Sequence, residues 1–245
     1  MSNKIEQEYK ASLKYNLKCI PNNKELVQLT QENVALVEAM IRHDSDYSNS
    51  NDETNSTSSA HCLSKLSSVL FKGSTLSKNE YTKIVFECVS AIDRENSTHL
   101  NADGVGREEM TSRIVNIEKK RLLEYLQHPK KQQYELVKIL SEKTHPTDSK
   151  MKARNNLSFA SKFCHYACMY IFKNTEAQDN FSIFDNIVCT NMPKYAKYYN
   201  IPLSKNYKKI YSEYIDIIDK IIKASGDKIS RNGFDHLLWY FHKAK

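Results

Sequence analysis

Lys162 and Asp185 are the two residues of this chain whose surroundings would alter their reactivity. The segment Asn155-Asn-Leu-Ser-Phe-Ala-Ser-Lys162-Phe-Cys-His-Tyr166 sets a lysine in an apolar helical pattern. Phe181-Ser-Ile-Phe-Asp185-Asn-Ile-Val188 sets an aspartate just after an apolar cluster, where the next helix is expected to start. An amine desolvated by Phe159, Phe163 and Tyr166 would have its charged form disfavoured and could act as a nucleophile. A carboxylate at a helix start can be aimed into a cleft. Together they are the minimal parts for Schiff-base chemistry at a sugar carbon. Each also has an ordinary role open to it. A lysine can lay its stem along the surface with its ammonium in water, and an aspartate can cap a helix beginning at Asn186.

Other constellations are weaker. Cys164-His165-x-x-Cys168 places two thiols one helical turn apart, yet a second pair of ligands is not evident, so no metal and no cofactor are expected. The six cysteines show no pairing rhythm and are read as reduced thiols. No Ser-His-Asp arrangement can be assembled from the eight histidines. The five glycines, at 73, 104, 106, 226 and 233, form neither GxGxxG nor GxxxxGK[ST], which removes dinucleotide folds and phosphate loops.

Charge points to a polyanionic partner. The net charge is +7, and all of the excess lies beyond residue 150: residues 1–150 hold 21 Lys+Arg against 21 Asp+Glu, while residues 151–245 hold 15 against 8. The same C-terminal region carries 17 of the 25 aromatic residues, including the single tryptophan, Trp239. Cations neutralise phosphates and rings stack on unpaired bases, so this is the composition of a nucleic-acid surface as well as of a packed helical domain with a solvated lysine face. The candidate contacts are Lys150, Lys152 and Arg154 before the first helix of the region, with Arg231, Trp239, Tyr240 and Lys243 near the C-terminus.

The Lys162 and Asp185 segments resemble the second half of the helix-hairpin-helix DNA glycosylase superfamily, especially its 8-oxoguanine glycosylase branch and bacterial relatives. The resemblance spans roughly residues 150–245. It rests on Ser161-Lys162 at the start of an apolar helix, a connecting segment, and then the apolar-flanked Asp185 opening another helix. It implies that Lys162 attacks the anomeric carbon and expels a damaged base, while Asp185 assists proton transfer and stabilises the cationic sugar. Phe184 and Val188 sit where the family has apolar residues. The family's Gly-x-Gly turn before its lysine, which holds a DNA phosphate, is replaced here by Leu157-Ser-Phe-Ala-Ser161. The implied function is DNA binding with base-excision or abasic-site lyase activity, in repair or in defence against phage with modified bases. The residues equally allow a non-enzymatic helical component of a bacterial defence or regulatory system, whose basic region binds DNA, RNA or an acidic protein.

The elements that must position these residues read as helices almost throughout. Apolar stripes at three- and four-residue spacing predict helices over 23–42, 62–71, 77–92, 107–127, 131–143, 157–172, 183–199, 207–224 and 232–242. Ser77 with Glu80 forms a capping signature. The polar stretch 44–60 reads as a surface loop or linker. The expected fold is all-α, or nearly so, with a helical N-terminal subdomain over 1–145 and a basic, aromatic-rich helical domain over 150–245. No long apolar run or leader pattern is present, and the expected setting is cytoplasmic, without membrane attachment.

Overall fold

The structure, a computed structural model, describes residues 16–42, 53–71, 76–96, 98–100, 106–143, 155–226 and 228–243. It is essentially all-α. A two-stranded antiparallel hairpin, β1 (Cys19–Ile20) and β2 (Asn23–Val27), precedes α1 (Gln31–Arg42). Then follow α2 (Ser59–Phe71), α3 (Lys78–Asn96), α4 (Gly106–Val115), α5 (Lys119–Gln127), α6 (Glu135–Ser141) and α7 (Leu157–Ile171). A 3-10 turn (Glu176–Asp179) leads to α8 (Asn186–Tyr198), α9 (Tyr211–Ser225) and α10 (Arg231–Lys243). Among the described residues no helix is long and apolar enough to cross a membrane.

The chain forms two compact units, Asn49–Phe184 and the discontinuous Met1–Ser48 with Asp185–Lys245. The boundary suggested by charge, between 145 and 150, does not coincide with either junction. Helices α6 and α7, which flank it, pack side by side in one unit. Charge reports the solvated face of a helix, whereas a unit is defined by shared apolar burial, and the two need not change at the same residue.

In the Asn49–Phe184 unit, α7 is the central element and packs against α2, α3, α5 and α6. Its buried residues include Phe159, Phe163, Cys164 and Cys168, which meet a core containing Leu63, Leu66, Val85, Cys88, Ile92, Met110, Leu122 and Leu126. Helix α3 begins with the expected capping box: Ser77 N donates to Glu80 Oε2 at 2.9 Å, and Glu80 N donates to Ser77 Oγ at 3.3 Å. The long helix expected over 107–127 is broken at Asn116-Ile117-Glu118 into α4 and α5. The helix expected over 131–143 starts only at Glu135, because Gln133 and Tyr134 take positive φ of 49° and 54°. The end of the polar stretch 44–60 is built into the unit. Arg94 donates to the Thr57 carbonyl, Glu95 accepts from Ser59 N at 3.0 Å, and Ser58 and Ser59 are buried. Its earlier part, 44–52, lies outside the described residues.

In the other unit, α10 packs on α1, α8, α9 and β2 around Leu26, Val37, Tyr195, Tyr214, Ile218, Phe234 and Leu238. The helix expected over 23–42 is instead a hairpin strand followed by α1. Asn33, fully buried, accepts from Lys18 N and donates to the carbonyls of Lys18 and Gln28. That amide satisfies strand-end groups which a continuous helix would have consumed. Gly233 lets α10 approach α1: a Cβ there would stand 3.0 Å from Val34 Cγ2.

Candidate nucleic-acid interface

The polar end of α3 determines what Lys162 does. Residues Asp93-Arg94-Glu95-Asn96 close that helix, and each side chain reaches a different neighbour. Asp93, 2% exposed, accepts from Thr98 Oγ1 at 2.5 Å, from Leu100 N at 2.9 Å and from Arg107 Nε at 2.8 Å. Burial alone would raise its pKa, but these three hydrogen bonds and the Arg107 charge outweigh it and hold the carboxyl below the usual value. Glu95 goes the other way: burial pushes it up, and the Ser59 contacts and Arg94 only partly offset this. Lys162, half-buried on α7, donates from Nζ to the Asn96 carbonyl at 3.0 Å. One turn along, Tyr166 donates to Asn96 Oδ1 at 3.0 Å. A helix C-terminus presents unpaired carbonyls and the negative end of the macrodipole, so an ammonium here is a cap.

Asp185 is the N-cap of α8, accepting from Val188 N at 2.8 Å with an extended backbone. Lys162 and Asp185 belong to different units, Lys162 to Asn49–Phe184 and Asp185 to the other. Cys164 and Cys168 are fully buried on α7, and burial pushes both thiols well up. Cys168 Sγ donates to the Leu126 carbonyl at 3.5 Å, and the buried His165 ring meets the Phe181 carbonyl at 3.0 Å. Among the described residues no group of three His, Cys, Asp or Glu is placed to hold a metal ion.

The residues expected to contact nucleic acid have mixed placements. Lys150, Lys152 and Arg154 lie outside the described residues. Arg231 is engaged by Asp219 through two bonds, Nε to Oδ1 at 2.7 Å and Nη2 to Oδ2 at 2.8 Å. That bidentate geometry neutralises the charge within the unit. Lys243 is exposed with its Nζ 3.7 Å above the Trp239 ring, and Trp239 meets Tyr240 edge-on at 4.8 Å, both rings being partly covered.

A different cationic surface stands out in the same unit. Between Asp185 and Glu213 the chain carries five lysines, at 194, 197, 205, 208 and 209, and no acidic residue. All five are exposed, and none has a carboxylate partner among the described residues. Lys194 and Lys197 share the outer side of α8 with Tyr198, being three and four residues apart, while Met192, Tyr195 and Ala196 face the core. The helix ends in a left-handed Asn200, φ 56°, with Ile201 N donating to the Ala196 carbonyl at 2.8 Å and Asn200 N to Lys197 O at 3.2 Å, which fixes the exit of the chain.

The stretch 207–210, expected as the first turn of a helix over 207–224, is a loop, and α9 begins at Tyr211. Buried Tyr207 anchors the loop, Lys209 N and Ile210 N both donate to the Asn206 carbonyl, and Ser204 Oγ donates to Glu213. Lys208 stands 5.7 Å from the Tyr207 ring centroid. Its charge opposes the rise of the Cys189 thiol to about 12, which burial dominates. Three of the most exposed large apolar side chains sit here, Tyr198, Leu203 and Ile210 at 45%, 40% and 41%. The sequence signal for this surface was the acid-free interval itself, which a charge count over the whole C-terminal region dilutes.

A protein-family model, HI_0787_N, described as an N-terminal domain, matches residues 46–175, just over half of the chain. The matched span runs along most of the Asn49–Phe184 unit; it includes Lys162 and stops short of the lysine-rich interval. No curated protein and no solved structure matches the chain.

Proposed function

The chain belongs to the HI_0787_N family, and from the charge arrangement beyond its matched segment we propose that the protein is a non-enzymatic nucleic-acid binder, with DNA or RNA held through Lys194, Lys197, Lys205, Lys208 and Lys209. The observation that carries the reading is the run of five exposed lysines, none with a carboxylate partner among the described residues, in an interval without one acidic residue. A solvated lysine face normally interleaves carboxylates. A one-sign stretch held on an anchored loop and a helix end concentrates positive potential, and phosphate is the common ligand for such a field. Base excision through Lys162 and Asp185 is less well supported, since both side chains already have capping work at helix ends.

The test is affinity for labelled oligonucleotides as a function of salt. Five phosphate contacts correspond to a slope of log K against log[salt] of about −3.5 for single strands and about −4.5 for duplex. Between 50 and 200 mM salt, affinity for a single strand then falls about 100-fold. Replacing all five lysines by glutamine is expected to flatten the slope towards zero. An unchanged slope and affinity in that variant would show that the interval does not bind nucleic acid.

A further inference from the structure

We infer that the nucleic acid taken by this surface is single-stranded, with an unpaired base stacked on Tyr198 while the neighbouring lysines track the phosphates. The inference rests on the nucleic-acid reading above and adds the strand class. Lysines alone would satisfy a duplex, whose outer surface is phosphate and sugar, and they would leave Tyr198, Leu203 and Ile210 unexplained. Those three are among the most exposed large apolar groups described, and they are interleaved with the five lysines. An apolar face beside a row of cations is rewarded only by a ligand that offers both charges and flat apolar surfaces, as an unpaired strand does.

The tyrosine is also arranged for the task. Its ring lies edge-on to Tyr199, centroids 4.9 Å apart and planes at 85°, so its orientation is supported before any ligand arrives. Tyr199 is half-buried and is thus the less exposed wall of the pair. Lys194 is one turn back on the same side of α8, and Lys197 is adjacent. The left-handed turn at Asn200 then directs the chain into the loop carrying Lys205, Lys208 and Lys209. A rigid ring loses little freedom when a base covers it, so stacking is not offset by ordering cost.

An anionic lipid surface shares the charge preference but fits less well. An interfacial helix needs a broad apolar face turned outward. Here the apolar side of α8, Val188, Met192 and Tyr195, is buried in the unit, and of the outward apolar groups Tyr198 and Ile210 each follow a lysine directly while Leu203 is two residues from Lys205.

The experiment compares the full chain, Tyr198→Ala and Tyr198→Phe on a thymidine 20-mer, a hairpin duplex of equal charge, and vesicles of phosphatidylcholine with phosphatidylserine. The expected result is that the wild type favours the single strand. Tyr198→Ala is expected to lose about tenfold on the single strand with no change on the duplex or in the salt slope, and Tyr198→Phe to retain wild-type affinity. Because Tyr198 is exposed, an unchanged circular-dichroism melt accompanies that result. Equal affinity for both oligonucleotides, or equal loss on both in Tyr198→Ala, overturns the strand assignment and leaves the nucleic-acid reading standing. Vesicle binding without oligonucleotide binding, or binding to neither, overturns both. A 5-iodouracil crosslink from the single strand that maps to Tyr198 supports the assignment independently of the variants, and one that maps only outside 194–210 overturns it.

Discussion

Replacing Lys162 by methionine separates a capping amine from a reactive one, because methionine keeps most of the apolar stem and removes only the charged donor. In the structure that donor serves the Asn96 carbonyl at 3.0 Å, at the end of α3. A hydrogen bond from a charged group contributes about 1.5–3 kcal/mol, and placing a cation at a helix C-terminus about 0.3–1 kcal/mol. Lys162 is only half-buried, so water competes and the lower end applies, about 1.5 kcal/mol. With a urea slope of about 2 kcal/mol/M, the unfolding midpoint of Lys162→Met should drop by about 0.7 M. Tyr166→Phe removes a neutral bond to the same residue and should cost about 1 kcal/mol. The double variant should cost less than the sum, since both groups immobilise Asn96. Borohydride trapping on abasic DNA is run in parallel. A wild-type midpoint in Lys162→Met, together with covalent trapping that the wild type shows and the variant loses, would refute the capping argument and restore the Schiff-base role.

Three further outcomes follow from single contacts. Asp93 has a depressed pKa in the fold, so its contribution is present above the ordinary carboxylate value of 3.8 and is lost as pH falls through the lower folded value. Asp93→Asn should flatten that acid-side loss in urea titrations from pH 6 to pH 2 and cost about 3 kcal/mol at neutral pH. Glu95, raised by burial, does the reverse, its contribution fading as pH rises through its folded value, and should be untouched by that variant. Gly106→Ala should destabilise, although helix propensity alone would favour alanine by about 1 kcal/mol. An added Cβ would fall on the Leu100 carbonyl, backbone that cannot rotate aside, so a raised melting temperature would disprove the close approach. Tyr195→Phe should cost about 1–3 kcal/mol and expose the Val27 amide to exchange, because Val27 N–H donates to the Tyr195 hydroxyl at 3.0 Å in a buried site. An unchanged exchange rate at Val27 would count against that bond.

Much of the fold was legible because helices announce themselves locally. The Ser77–Glu80 box, the Asp185 cap and the apolar stripes of α3, α7 and α9 each depend on residues within a turn or two of one another. What the sequence hid depends on distant partners. Leu26, Leu29, Val34 and Val37 fit helical spacing, yet β2 forms because Asn33 binds the backbone of Lys18 and Gln28 and because Asn22 adopts a left-handed turn at φ 62°. The break between α4 and α5 carries neither glycine nor proline, and Asn116 just after α4 is its one weak local signal. The apolar neighbours of Lys162 along α7, Phe159 and Phe163, are buried in the core, while Lys162 itself is half-buried. The polar end of α3, which takes up its amine, is 66 residues away in the chain and invisible to any window.

The same distinction between local and partnered charge decides which cations matter. Arg107 with Asp93, Arg113 with Glu109 and Arg231 with Asp219 are held by carboxylates, which offset their charge within the protein. Lys24, without a carboxylate partner among the described residues, has Glu25 beside it, so the field near it averages towards zero within a Debye length of about 8 Å. Over 186–212 the chain itself carries no acidic residue, and Glu213, the carboxylate that meets this stretch, is engaged by Ser204. Lys205, Lys208 and Lys209 are moreover kept on a loop pinned by buried Tyr207 and by Ser204 bonded to Glu213, the acid that ends the interval. Glu213 thus serves as an anchor as well as a charge, which makes the loop's positive potential a property of the folded unit and its salt dependence the quantity that measures function.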